Sequence, residues 1–274
     1  MNFIWLYELP NWLLCFYVVT LFTVLSLVGF WVTHAGVRAF KVHHNDVVAS
    51  FAASSGVLYA VLLAMIAVAS WTNYTTVGSL VSQEADLVHQ LFRDAGAYPP
   101  QSRVHLRGLL REYVGTVVNV EWPALQHGVQ DQRAGLVVDD LFDGFLQFEP
   151  KTEGEKLIGS EALSRLNTFQ AIRRNRIQAG QSGLDGVLWM VVLCGAILNV
   201  GMCYLFRLEN KFLHELLIGT LGLMIGVVVY LILALDHPLW GEVSVQPTAF
   251  HEVAESMDRV LHPLTAGERR LPSR

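Results

Sequence analysis

Four apolar stretches interrupt an otherwise polar chain, and each is about as long as a membrane crossing requires. They cover residues 12–31, 47–71, 187–206 and 216–235, and none of them contains Asp, Glu, Lys or Arg. Two stretches lie close together before a long polar insert, and two follow it. The pattern predicts a polytopic membrane protein whose transmembrane segments form two pairs.

The polar insert has the periodicity of helices. Apolar residues recur every three or four positions over residues 101–120, where Arg103, Arg107 and Arg111 also form a basic stripe. Further helices are predicted over residues 82–92, 134–148 and 155–179. A capping-box pattern at Thr152 and Glu155 opens the last of these helices.

The tail after Pro247 is predicted to form a short amphipathic helix. It is expected to dock on the insert or to lie in the membrane interface. Its apolar face would consist of Phe250, Val253, Met257, Val260 and Leu261.

These elements predict an all-α integral membrane protein with four transmembrane helices in two pairs. A helical extramembrane domain is expected between the second and third helices. Four parts follow: helices one and two in residues 1–72, the extramembrane domain in residues 73–183, helices three and four in residues 184–236, and the tail in residues 237–274.

Composition supports this class and excludes others. The chain is 53% hydrophobic with a net charge of −5, so it has no basic domain to bind nucleic acid. It shows no phosphate-binding glycine loop, paired-cysteine site or nucleophile elbow, and we predict no enzyme, catalytic residue or cofactor. The cluster of His34, His43, His44 and Asp46 matches no standard ligand spacing, so we predict no metal site.

The positive-inside rule predicts an orientation. Arg38 and Lys41 lie between segments one and two, and Arg207 and Lys211 lie between segments three and four. Both short connectors are therefore expected in the cytoplasm, with the insert and the tail on the outer face. Three arginines close to segment three oppose this orientation: Arg173, Arg174 and Arg176.

Segment two is the most polar crossing. Its small and hydroxyl-bearing residues suit either close helix packing or the lining of an ion path. The candidates for these two roles are Ser50, Ser54, Ser55, Gly56 and Tyr59. In segment four, the spacing of Gly222 and Gly226 indicates helix packing or an oligomer contact.

Several motifs carry a resemblance that covers nearly the whole chain. They are residues 56–63 of segment two and a set of separate positions: Glu84, Tyr113, Glu121, Trp122, Pro123, Pro238 and Gly241. Together they resemble the bestrophin-like membrane domain family of bacteria. His237 departs from the family pattern, which more often has Arg there, so a fixed positive charge at that position is not required.

The resemblance implies more than the residues alone. The family is itself of unknown function and is distantly similar to bestrophins, which are oligomeric anion channels with four membrane helices per subunit. It also implies a cytosolic insert, and we keep the opposite orientation because the charge count comes from this chain. From the residues, Glu121 is expected to accept hydrogen bonds from the basic stripe, Trp122 to pack and Pro123 to end its helix.

Two functions follow as hypotheses. The first is a homo-oligomeric, multi-pass protein of the bacterial inner membrane that conducts ions, with inorganic anions as the expected partners and segment two lining the path. The second is a membrane-anchored sensor or scaffold whose helical domain binds a partner. The uncharged segments argue against proton pumps and voltage sensors, which rely on intramembrane charges.

The orientation predicts which positions react with reagents outside the cell. A single cysteine beside Lys41 should resist an impermeant thiol reagent in intact cells, whereas one within the insert should react. Labelling beside Lys41 from outside would refute the assignment.

Overall fold

The structure is a computed structural model that describes residues 4–37, 45–206 and 208–261. Every regular element in this part of the chain is helical, and it contains no strand. The all-α prediction is therefore confirmed. Several residues used above lie outside the described part: Arg38, Lys41, His43, His44, Arg207 and the side chain of His34.

The α-helices are numbered in chain order. They are α1 (Ile4–Tyr7), α2 (Asn11–Val37), α3 (Asn45–Asp94), α4 (Pro100–Thr116), α5 (Trp122–Gln126), α6 (Arg133–Leu146), α7 (Glu153–Gln181), α8 (Gly186–Tyr204), α9 (Lys211–Asp236) and α10 (Thr248–Leu261). A 3-10 turn (Ala95–Ala97) precedes α4, and a π-helical turn (Val117–Glu121) joins α4 to α5.

Four stretches of helix are long and apolar enough to cross a membrane. They are Asn11–Thr33, Asn45–Ala97, Glu153–Tyr204 and Lys211–Asp236, and they include nearly all of the four predicted segments. The helix α3 runs unbroken from Asn45 to Asp94. The helix predicted over residues 82–92 is therefore a continuation of segment two and not a separate element.

The chain divides into two compact units. The first unit contains residues 1–74 and 182–244, and the second contains residues 75–181 and 245–274. The helix α3 contributes residues to both. The tail predicted as one part, residues 237–274, is divided between the units at residue 245.

Two glycines let α9 approach α2 closely in the first unit. A Cβ atom on Gly226 would lie 2.9 Å from Val19 Cα, and one on Gly222 would lie 3.0 Å from the Phe22 carbonyl oxygen. These separations are shorter than ordinary packing contacts, so larger residues would push the helices apart. The glycine spacing serves helix packing, as the sequence indicated.

In the second unit, α7 begins with the predicted capping box. The Glu155 amide donates to Thr152 Oγ1 at 3.2 Å, and the Thr152 amide donates to the Glu155 carboxylate at 3.1 Å. Each side chain thereby satisfies an amide that the first helical turn leaves without a backbone partner.

The expectation that Pro123 ends its helix is wrong. The chain continues as α5 to Gln126, and the five residues before it, Val117–Glu121, are wound as a π-helix. Proline lacks an amide hydrogen, and its ring collides with the carbonyl four residues earlier in a regular α-helix. The wider π turn relieves that conflict, so the chain remains helical through Pro123.

The helix α10 packs on α4 within the second unit. Phe250, Val253 and Met257 are buried, whereas Val260 and Leu261 are exposed, so the predicted apolar face is shorter than expected. On the docked side, Asp258 forms an ion pair with Arg111 of α4 at 2.8 Å.

Candidate functional site

Five polar side chains from separate elements meet in the core of the second unit. Glu84 comes from α3, Tyr113 from α4, Glu121 from the π turn, and Arg173 and Arg176 from α7. We call these five residues the charge cluster. All of them are buried, and Glu84, Tyr113 and Arg176 are completely inaccessible to solvent.

Glu121 is held by both arginines. Arg173 donates from Nη1 and Nη2 to the two Glu121 oxygens at 3.0 and 2.6 Å. Arg176 Nη2 donates to Glu121 Oε1 at 2.6 Å. The two arginines can share one carboxylate because residues three apart lie on the same face of a helix.

Glu84 occupies the other side of the cluster. It accepts from Arg176 Nε at 2.6 Å and from Arg176 Nη2 at 3.2 Å, and the Tyr113 hydroxyl donates to it as well. Two carboxylates thus neutralise two guanidinium groups. Such pairing is what makes it tolerable to remove these charges from water.

The surroundings hold Tyr113, Glu121 and Arg176 each in one protonation state. Burial alone would raise the pKa of Glu121, but Arg176 and Arg173 outweigh it and keep that pKa below the ordinary 4.5. Burial and the nearby Glu84 raise the pKa of Tyr113 well above 10.0, so its hydroxyl remains a donor. Burial lowers the pKa of Arg176, but Glu84 and Glu121 more than compensate.

Aromatic rings enclose the charge cluster. The Arg176 guanidinium lies 5.1 Å from the Trp122 ring centre, and Trp122 Nε1 donates to the Val245 carbonyl oxygen at 3.1 Å. Phe250 of α10 lies beside both Tyr113 and Trp122. The cluster is therefore suited to fixing the helices of the second unit, because its carboxylates pair with its guanidinium groups away from water. Arg176 Nη1 alone among the cluster's guanidinium nitrogens is a buried atom without a hydrogen-bond partner in the described part of the chain.

The expectation that Glu121 accepts from the basic stripe is wrong. Each arginine of the stripe has another partner: Arg103 donates to the Tyr98 carbonyl oxygen, Arg107 to the Phe92 carbonyl oxygen, and Arg111 pairs with Asp258. The stripe is close to Glu121 in sequence, but it lies on the side of α4 opposite Tyr113. The arginines that reach Glu121 come from α7 instead.

The motif after segment four forms a tight corner in the first unit. Asp236 is buried and accepts from the Leu184 amide at 2.5 Å and from Trp189 Nε1 at 3.3 Å. Pro238 lies in the turn closed by the Trp240 amide and the His237 carbonyl oxygen. Gly241 has a φ of +69°, and a Cβ there would lie 2.7 Å from the Tyr7 carbonyl oxygen, so the corner requires glycine.

The five candidates on segment two separate onto different sides of α3. Ser50 and Ser54 are exposed, and their hydroxyls donate to the Asp46 and Ser50 carbonyl oxygens. Tyr59 is buried and donates to the Val192 carbonyl oxygen of α8 at 3.0 Å. Ser55 and Gly56 are half-buried, and a Cβ on Gly56 would lie 3.6 Å from Asn199 Oδ1.

Sequence reasoning missed Arg173 and Arg176, which entered it only as markers of orientation. The signal that could have found them is their register on α7. The buried positions of that helix recur at intervals of four and three: Ala162, Leu166, Phe169, Arg173, Arg176 and Gly180. Two arginines in an otherwise buried register need acidic partners inside the protein.

Comparisons with known proteins agree on the fold. Residues 20–250 match the model of a Bestrophin-like domain. Crystal structures of two variants of a bacterial bestrophin homologue from Klebsiella pneumoniae are similar, with TM-scores of 0.65 and 0.61 and 8% identity. They match over 90% of this chain and over 98% and 97% of their own.

A further crystal structure, described only as a membrane protein, has a TM-score of 0.62 and 9% identity over 90% of this chain and 97% of its own. At such identities the likeness concerns the fold alone. No curated protein matches the chain.

Removing the charge of Glu121 should destabilise the second unit. A Glu121→Gln substitution leaves two buried guanidinium groups short of a carboxylate, and breaking one partner of a buried pair costs about 3–5 kcal/mol. Glu112→Gln is the matched control, because Glu112 is exposed on α4. Thermal denaturation of the full chain in detergent should show a large fall in Tm for Glu121→Gln only. Equal stability of the two variants would refute the role of Glu121 in stabilising the second unit.

Low pH should destabilise the second unit by protonating Glu121. Because the pKa of Glu121 in the folded chain lies below its ordinary 4.5, its stabilising contribution is complete above that value. It is lost as the pH falls through the lower, folded pKa. The Tm should therefore fall below about pH 4.5 and fall less steeply in Glu121→Gln. If the Tm of the unsubstituted chain and that of Glu121→Gln depended on pH in the same way, the acid sensitivity would belong to other groups.

Proposed function

Because the chain belongs to the Bestrophin-like domain family, we propose that it is a homo-oligomeric membrane channel that conducts inorganic anions. One face of the apolar part of α3 lines the path. The channel is a multi-pass protein of the bacterial inner membrane. Its transmembrane helices are α2, the first part of α3, α8 and α9, and the helical second unit lies outside the bilayer, on the outer face according to the charge count.

The observation that carries the proposal is a stripe on α3 that no other helix covers among residues 4–37, 45–206 and 208–261. Its members recur at helical spacing and are all exposed: Ser50, Ser54, Val57, Val61, Met65 and Val68. We call them the α3 stripe. Tyr59, Leu63 and Ile66 lie on the opposite side of the helix and are buried in the core of the first unit.

The α3 stripe has the composition of an uncharged path. At one end, two serine hydroxyls satisfy themselves on the helix backbone, and rotation about χ1 would let each hydroxyl donate to a passing anion instead. Beyond them, aliphatic side chains form a section that would constrict the path and resist wetting. None of the six residues of the stripe is charged, and the nearest carboxylate on α3 is that of Asp46, one helical turn before Ser50.

Several copies of the chain are needed to build such a path. One helix offers only one side of a pore, and the other three candidate spans of a single chain share a core with the opposite side of α3. A symmetric ring in which each copy contributes its α3 stripe closes the path around an axis. Closed cyclic symmetry is the common arrangement of homo-oligomers.

Flux through the reconstituted oligomer tests the channel. Liposomes that contain the intact oligomer should release chloride faster than liposomes that lack it. No anion flux at any pH, from an oligomer shown to be intact, would refute conduction.

Cysteine modification then tests the α3 stripe. In a background without Cys15, Cys194 and Cys203, we expect Ser54→Cys and Val61→Cys to react with a charged thiol reagent. A negatively charged adduct should reduce anion flux more than a positively charged one, because a fixed charge repels ions of its own sign.

Met224→Cys is the matched control, because Met224 is equally exposed but lies on α9. Its modification should leave the flux unchanged. If modification at Met224 blocks flux and modification at Val61 does not, α3 does not line the path. The alternative of a sensor or scaffold predicts an intact oligomer without flux in every one of these experiments.

A further inference from the structure

An open groove of about 300 Å³ runs between α6 and α7 in the second unit. Leu136, Val138 and Asp139 line it from α6, and Arg173, Arg174 and Ile177 line it from α7. Its volume lies at the lower end of the range for small-molecule sites. Neither the family membership nor the proposed ion path assigns it a role.

The charges along the groove separate into occupied and free ones. Asp131 is bound by Arg133 at 2.8 Å, and Arg173 is bound by Glu121 at 2.6 Å. Asp139 and Arg174 form no ion pair with each other or with another residue that the structure describes. The groove therefore presents one free carboxylate and one free guanidinium on its two opposite walls.

We propose that this groove binds a small zwitterion with the chemistry of a free amino acid. The ligand carboxylate pairs with Arg174 and its ammonium group with Asp139, and both contacts are charge-assisted hydrogen bonds. Leu136 and Ile177 contact the carbon chain between the two charged groups. A dianion would be repelled by Asp139 and Asp131, and only Arg174 is free to bind it. A dication would be repelled by Arg173 and Arg174.

Gly135 lines the groove without adding a side chain to it. It lies in the first turn of α6, and a Cβ built on it meets nothing within 4 Å. A larger side chain at this position would occupy the space without removing any charge. Because glycine is also a poor helix former, such a substitution should not weaken α6.

Calorimetric titration of the full chain in lipid nanodiscs tests the proposal. The probes are straight-chain amino acids in which the two charged groups are progressively farther apart, together with a dicarboxylate and a diamine of matching length. We expect saturable binding that peaks at one separation of the charges. The dicarboxylate and the diamine should each bind at least about tenfold more weakly.

Matched variants assign the contacts. Asp139→Asn and Arg174→Gln should each weaken binding at least about tenfold. Asp140→Asn and Arg93→Gln, at exposed charged positions outside the groove, should leave it unchanged. Gly135→Met should abolish binding without lowering the Tm.

Three outcomes would overturn the proposal. One is the absence of binding by the whole series at millimolar concentrations. Another is an equal loss of affinity in Asp139→Asn and Asp140→Asn. The third is protection of a cysteine at position 139 from an aqueous thiol reagent in the assembled oligomer, which would show that a neighbouring copy covers the groove. Because binding is measured without ion flux, failure here leaves the channel proposal unaffected.

Discussion

The mutual neutralisation of two carboxylates and two guanidinium groups is the interaction on which the second unit depends. Glu84, Glu121, Arg173 and Arg176 arrive on three separate parts of the chain, and each is buried. A buried charge without a partner is far more costly than an unpaired polar group at the surface. The ion pairs among these four residues therefore hold together the parts of the chain that carry them.

A network of this kind specifies an arrangement more strongly than it stabilises one. The Coulombic attraction of a buried pair largely repays the loss of hydration, and apolar residues of similar volume often serve stability equally well. Sliding α7 by one residue, however, would move both arginines away from Glu121 at once. The aromatic contacts of Trp122 and Phe250 then extend the fixed arrangement to the start of α10.

Most of the fold follows from local patterns, whereas the partners of the buried charged residues depend on distant parts of the chain. Length and missing charge identify the apolar segments, and the capping box at Thr152 identifies the start of α7. The partner of Glu121 could not be read from nearby residues, because Arg173 lies 52 positions away along the chain. The division of segment two was also hidden: within a membrane both faces of a helix are apolar, so hydrophobic periodicity cannot tell the buried Tyr59 side from the outward Ser54 side.

The π turn at Val117–Glu121 has a consequence for how chains of this kind can change in length. A π turn holds one more residue than the α-helical turn it replaces. Deleting any residue of this segment would restore α-helical winding and rotate all that follows, which would take Glu121 out of reach of the arginines. At positions other than Glu121, this stretch should accept many substitutions of similar size, but it should accept no deletions. An alignment to a relative that lacks the turn would need a single-residue gap inside a helix, a place where gaps are ordinarily forbidden.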